Sequence, residues 1–231
     1  MLVKYWMRKD VIPIEASASM QEAIEHMKEN QTALLPVTKN GVLVGVLTDR
    51  DIKRASASDA TTLDVHELTY LVAKIKVAEI MTKNPVTVPP DFTLEETAAV
   101  LLKSKISGVP VVASNGNILG IITQMEIFKA LMSLSGLERR GVQFAFQVED
   151  RAGSVKDVTD IIRAHGGRLV SILTSYERAP VGYRHLYVRA FGIDRNRVQK
   201  LLDDLRERAP LLYMVDHREG IREEYIESNR L

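Results

Sequence analysis

Cysteine is absent from the 231 residues, which excludes disulfides, thiolate metal sites and a cysteine nucleophile. No apolar run approaches the roughly 18 residues that a membrane span needs, and the N-terminal MLVKYWMRKD lacks the apolar stretch of a secretory signal. An excess of charge of either sign is missing too. With 31 basic against 30 acidic residues the net charge is +1, so there is no general electrostatic reason to expect a nucleic-acid or acidic-surface partner. The five histidines, at 26, 66, 165, 185 and 217, show no metal-ligand spacing, and no local metal site is expected. Nucleophile elbow, Walker loop and a strand-to-helix G-x-G-x-x-G are all lacking, and Gly41-x-x-x-Gly45 reads as the ends of a hairpin. What remains, 45% apolar and 26% charged, is the balance of a soluble and cytoplasmic globular chain. Its length, about one and a half times a domain of ~150 residues, suggests two units.

The dominant positive feature is an internal repeat. A shift of 74 residues brings Val3 onto Val77, Met7 onto Met81, and Pro36-Val37 onto Pro110-Val111. One inserted residue then makes the shift 75, pairing Gly41 with Gly116, Gly45 with Gly120, Thr48 with Thr123 and Asp51 with Glu126. Each copy begins with an extended piece (Val11 to Ile14; Val86 to Val88). A capping-box pair follows, Ser19 with Glu22 or Thr93 with Glu96, in which hydroxyl and carboxylate each take up a free N–H at a helix start. Two apolar runs follow, joined across Asn40-Gly41 or Asn115-Gly116, a strong hairpin signal, and a second helix opens at Thr48 or Thr123. Each copy is therefore β-α-β-β-α, about 55 residues, and marginal on its own, so two should share a core. Residues 1–56 and 77–134 are taken as the two copies, and 57–76 as a polar loop leading into a linker helix.

Composition changes past Leu134. Residues 1–133 hold eleven Lys and three Arg, whereas 134–231 hold two Lys and fifteen Arg, with fifteen acidic residues interspersed. A domain boundary near 135–141 follows, and the mixed signs indicate a solvated surface. Residues 140–216 read β-α-β-β-α-β, the ferredoxin-like arrangement, making the whole chain α/β (α+β). The charged tail, 217–231, has too little apolar content to pack alone.

Two segments could carry chemistry: Gly45-Val-Leu-Thr48-Asp49-Arg50-Asp51 and Gly120-Ile-Ile-Thr123-Gln124-Met125-Glu126. A strand running into Thr at a helix start, with a carboxylate three residues on, suits a ribose phosphate. The carboxylate accepts from vicinal hydroxyls, while the hydroxyl, the free N–H groups and Arg50 favour an anion. The same spacing is also a plain capping box, and spacing alone leaves both readings open.

With its Gly-hydrophobic-hydrophobic-Thr-x-x-Asp/Glu ending, the repeated unit resembles the CBS domain, and the tandem pair over 1–133 resembles the CBS-pair (Bateman) module. The resemblance implies a non-enzymatic regulatory protein, a homodimer, with an adenine nucleotide (AMP, ADP, ATP or another adenosyl compound) as regulatory ligand and no cofactor. It implies one pocket combining Thr48, Arg50 and Asp51 with Thr87, Ser107 and Val109. A second would combine Thr123 and Glu126 with Ile12, Pro13, Ala33 and Leu35. Glu126 is a methylene longer than the usual Asp and Met125 replaces Arg50, so the Asp51 site is expected to be the stronger. Residues 140–216 resemble an ACT domain, on Val148 to Ser154 and His165-Gly166-Gly167. That resemblance implies either subunit pairing or a bound amino acid, with Asp150, Gly153 and Ser154 at the ligand, although Arg168 stands where amino-acid binders often carry Asn. The order CBS, CBS, ACT, with Ala60–Leu71 between the repeats, is similar to the bacterial acetoin-utilisation regulatory family. The rival readings are an enzyme or enzyme subunit of acetoin metabolism (an acetoin dehydrogenase) and a protein-interaction scaffold with vestigial sites.

Overall fold

Capping chemistry starts the longer described helices of the first 130 residues where their spacing predicts. The computed structural model describes residues 1–59 and 74–225. Helix α1 (Met20–Glu29) begins at Ser19, whose hydroxyl accepts from the Glu22 N–H while the Glu22 carboxylate accepts from the Ser19 N–H. Thr93 and Glu96 do the same for α4 (Leu94–Ser104). After α1 comes a hairpin of β2 (Leu34–Lys39) and β3 (Val42–Thr48), leading into α2 (Asp49–Asp59). In the second copy α4 is followed by β5 (Gly108–Val112), β6 (Ile118–Thr123) and α5 (Gln124–Ser135). The hairpins match in detail: Val37 pairs with Gly45 and Val111 with Gly120, and each has a register shift just after that pair. The short strand β1 (Ile14–Glu15) runs parallel to β2 with Ile14 beside Val37, as the isolated bridge Val88 to Val111 does in the other copy.

The polar stretch expected to be a loop is helical through Asp59. Ser56 Oγ donates to the Ile52 carbonyl at 2.9 Å, so its hydroxyl is satisfied within α2. Most of the expected linker helix, residues 60–73, lies outside the described residues.

Each sequence repeat is not a closed structural unit, because the two copies exchange their leading segments. Val3 N–H donates to the Phe92 carbonyl and Leu94 N–H to the Met1 carbonyl, and Arg8 pairs antiparallel with Ile121. Conversely, short helix α3 (Val77–Ile80) and strand β4 (Thr82–Lys83) dock on the first copy. Val77 and Ala78 donate to Ala18 and Ala16, and Thr82 pairs with Val46. Val77, fully buried, joins the core cluster of Ile14, Ala23, Met27, Leu35, Val37 and Leu47. Here the structure corrects the reading of Gly45 as a hairpin end. Gly41 (φ +79°) occupies the turn, whereas Gly45 lies within β3 under the exchanged segment, where a Cβ would fall 2.9 Å from the Thr82 carbonyl oxygen. Its counterpart Gly120 would place a Cβ 2.3 Å from the Arg8 carbonyl oxygen.

Two units result, Met1–Phe128 and Lys129–Leu231. The second contains the end of α5, whose Ser135 carbonyl accepts from Arg189 Nε at 2.7 Å and from Ser171 Oγ at 2.9 Å. It continues with β7 (Val142–Glu149), α6 (Ser154–Ala164), β8 (Arg168–Ser175), β9 (Tyr183–Phe191), α7 (Val198–Arg208) and β10 (Leu211–Asp216), the order expected. The sheet order is β10-β7-β9-β8 with every pairing antiparallel. Phe144, Phe146, Leu186 and Val188 from the sheet and Val158, Ile162, Leu201 and Leu205 from the helices form its core. The tail departs from expectation: Ile221–Glu224 forms an edge strand, β11, on β10. Its four residues are exposed, so backbone pairing holds it and apolar content is not needed. The turn before it is fixed by Asp216 Oδ1, which accepts from the Arg218 N–H at 2.9 Å.

Candidate functional site

At the end of β3, Thr48 donates from its N–H (2.9 Å) and its hydroxyl (2.6 Å) to Asp51 Oδ2, and the Asp51 N–H donates to Thr48 Oγ1 at 3.3 Å. The capping reading is therefore realised, and it orients the carboxylate. The other oxygen, Oδ1, accepts from Arg54, which is exposed; a pair with one solvated partner is weak and easily exchanged. Asp51 itself is only 6% exposed. A cleft of about 270 Å³ opens beside it, walled by Leu34 and Val46 on one side and by Pro85, Val86, Ile106 and Ser107 on the other. Arg50 lines this cleft, is exposed, and makes no hydrogen bond or ion pair with the described residues. An apolar slot with a buried carboxylate at one end and an unpaired guanidinium is suited to a ligand carrying an apolar ring, hydroxyls and an anion.

Of the residues assigned to this pocket, Thr48, Arg50, Asp51 and Ser107 line one cleft. Thr87 is exposed and Val109 is buried in the core, and neither lines it; their neighbours Val86 and Gly108 do. Strand alternation explains the offset between Val109 and Gly108 in β5, since adjacent residues face opposite sides. Arg54 was not anticipated, although its i, i+3 spacing from Asp51 on one helix was a usable signal.

The second copy repeats the cap. Thr123 N–H donates to Glu126 Oε2 at 3.0 Å, its hydroxyl donates to the same oxygen, and the Met125 N–H donates to Thr123 Oγ1 at 3.2 Å. A small space of about 10 Å³ lies near, between Arg8, Ile12, Thr32 and Ile121. Ile12 and Leu35 line it, whereas Pro13, Ala33, Thr123 and Glu126 do not.

In the second unit, Gly153 adopts φ +88°, a backbone conformation that favours glycine, and caps α6. Asp150 and Ser154 converge on Arg184, whose Nη2 donates to Ser154 Oγ at 3.1 Å and whose Nε lies 3.8 Å from Asp150 Oδ1. Ser154 lines an adjoining cleft of about 280 Å³; Asp150 and Gly153 do not. Within that cleft Arg151 and Arg208 both pair with Asp157, holding its carboxyl below the usual range chiefly through the Arg208 bond. Among the described residues no cluster of ligating side chains could hold a metal, and no helix is long and apolar enough to cross a membrane.

Two segments, residues 3–58 and 77–133, match the CBS domain family model. The chain thus carries a tandem CBS-domain pair, a Bateman module. Similar curated proteins include an inosine-5'-monophosphate dehydrogenase of Korarchaeum cryptofilum, 29% identical over 174 residues, covering 71% of this chain and 33% of that one. A CBS domain-containing protein of Dictyostelium discoideum is 28% identical over 134 residues, covering 58% of this chain and 92% of the other. The chain thus spans about a third of the dehydrogenase and nearly all of the Dictyostelium protein. Among solved structures, CBSX2 in complex with AMP is 31% identical, with 57% of this chain and 96% of that chain covered and a TM-score of 0.46.

Proposed function

We propose that this is a non-enzymatic regulatory protein whose CBS pair binds an adenine nucleotide at the Asp51 cleft. The observation that carries the reading is the cleft itself: both repeats wall it, Asp51 is held at its end by Thr48, and Arg50 is unpaired beside it. Asp51 would exchange its bond to Arg54 for the ribose hydroxyls, Arg50 and the start of α2 would take phosphate, and the apolar walls would take the base. A nucleotide touching both repeats favours one arrangement of the pair, and any coupling to a second ligand must be reciprocal. The second unit serves as an ACT-like module for pairing subunits or sensing an amino acid around Asp150, Gly153 and Ser154. Homodimerisation is supported by Met125, Phe128 and Met132, exposed apolar residues at helical spacing on α5. The order of units, similar to that of the acetoin-utilisation regulatory family, makes acetoin catabolism the process we assign to it.

The test is a thermal-shift panel of AMP, ADP, ATP and S-adenosylmethionine on the full chain. At 100-fold excess over Kd, stabilisation should be about 2.7 kcal/mol. Asp51→Ala removes a cap contact worth about 1 kcal/mol, so its shift is read against its own ligand-free protein. It should lose most of the shift and Glu126→Ala little. A full shift in Asp51→Ala would overturn the assignment.

A further inference from the structure

We infer that the second unit carries a site for a small organic dianion, a phosphate ester or a dicarboxylate on an apolar body, in the cleft between the start of β7 and the start of α7. The cleft measures about 370 Å³, within the range of small-molecule sites. It lies at the opposite end of the sheet from Asp150, Gly153 and Ser154, which follow the end of β7, whereas Val142 begins that strand. Val142 pairs with Ala190 of β9 on one side and with Asp216 of β10 on the other, so three adjacent strands reach this end in one row. The segments beyond the row line the cleft: Arg139 and Arg140 before β7, Phe191 to Ile193 at the end of β9, and Arg218 after β10. Val198, the first residue of α7, completes the wall.

Arg139, Arg140 and Arg218 are exposed, and none makes a side-chain hydrogen bond or ion pair with the described residues. Guanidinium groups stay protonated, so three like charges border one small space. Asp216, which also lines it, is buried and engaged in its own turn, where Oδ1 accepts from the Arg218 N–H at 2.9 Å and the Glu219 N–H at 3.3 Å. Positive charge is left in excess, and the positive end of the α7 dipole, at Val198, adds to it. The cleft at Ser154 differs, because Arg151 and Arg208 there both pair with Asp157. Fixed backbone carries the unpaired arginines. Gly141 presses the entry to β7 against β9, where a Cβ would collide with the Ala190 carbonyl, and the Asp216 bonds hold the turn that bears Arg218. Guanidinium forks match the oxygens of phosphate and carboxylate, while Phe191, Ile193 and Val198 offer apolar surface to the rest of the ligand.

The experiment is an amide NMR titration of the isotope-labelled full chain with phenyl phosphate and with phenylsuccinate. Inorganic phosphate supplies the charge without the apolar body, and phenol the reverse. At least one of the two organic dianions should move the signals of Gly141, Gly192 and Arg218, with a lower Kd than inorganic phosphate, and phenol should leave them in place. The tighter of the two tells a phosphate ester from a dicarboxylate. Arg140→Gln and Arg218→Gln should each weaken binding about tenfold, the loss of one charge-assisted bond. Arg163→Gln, exposed on α6 and paired with Asp160, should leave it unchanged. Signals that stay still with both dianions, shifts indifferent to the two arginine substitutions, or equal binding of inorganic phosphate would each overturn the inference. Because the signals report by residue, a ligand taken up at the Asp51 cleft is told apart, and the failure of either reading leaves the other standing.

Discussion

Replacing Gly120 by alanine puts the exchange of leading segments to the test. A Cβ there would lie 2.3 Å from the Arg8 carbonyl oxygen and 3.2 Å from its carbon, both backbone atoms that no rotamer change can move aside. The segment must retreat by roughly 1 Å, at the expense of the two Arg8–Ile121 hydrogen bonds, worth about 1 kcal/mol each. Overpacking strain adds about 1–3 kcal/mol. Reduced freedom of the unfolded chain returns about 0.4–1 kcal/mol. A net loss of about 2–4 kcal/mol follows from these terms. Gly45→Ala is the internal comparison. Its nearest obstacle is Met81 Sδ at 2.6 Å, a flexible side chain that can swing away, with the Thr82 carbonyl oxygen next at 2.9 Å. About 1–2 kcal/mol is expected there. Urea unfolding followed by the fluorescence of Trp6, the single tryptophan, reads the exchanged segment directly. With m near 2 kcal/mol/M, Gly120→Ala should lower the midpoint by about 1–2 M and leave m unchanged. A midpoint within a few tenths of wild type, or a larger loss for Gly45→Ala, would refute the reasoning.

The second unit supplies two pH predictions. Burial, then the nearby Arg189 and Arg222, push the His217 imidazole below its ordinary value, and its Nε2 has no hydrogen-bond partner among the described residues. A histidine favoured neutral in the fold loses stability as pH falls below the unfolded value and through the folded one, so His217→Gln should flatten the decline of Tm on the acid side. An unchanged decline would remove His217 from the account. Tyr225 is pushed up to about 12, by burial first and then by its bond to Glu223, and Arg206 stacks on its ring at 4.3 Å. The fold favours the neutral phenol, so this stabilisation is complete below the unfolded tyrosine value and fades as pH rises from there to about 12. In an ultraviolet titration one late-ionising tyrosine should vanish in Tyr225→Phe; its persistence would reassign the signal.

Local structure was legible almost to the residue. Both capping boxes formed as their spacing indicated, and Asn40-Gly41 and Asn115-Gly116 turned the chain. The elements of the second unit follow the order that its pattern suggested. The site was legible in part. Thr48 and Asp51 form one capped motif whose geometry depends on neighbours three residues away. Gly108 escaped notice beside Val109 because the choice between adjacent strand residues depends on which face the partner element covers. The tail misled for a related reason: Ile221–Glu224 gains its order from β10, a partner nothing in its own composition announces.

By itself, the sequence determined what contacts of a few residues' range can specify: the duplication, helix starts, hairpins and the β-α-β-β-α-β order of the second unit. Tertiary structure decided which copy each leading segment completes. Val3 and Val77 are equivalent under the repeat, so pairing within a copy and pairing across copies look alike locally. Only the shared core, with Val77 buried beside Leu35 and Leu47, separates them. Arg8 lies 113 residues before Ile121 in the chain, and only folding pairs the two backbones.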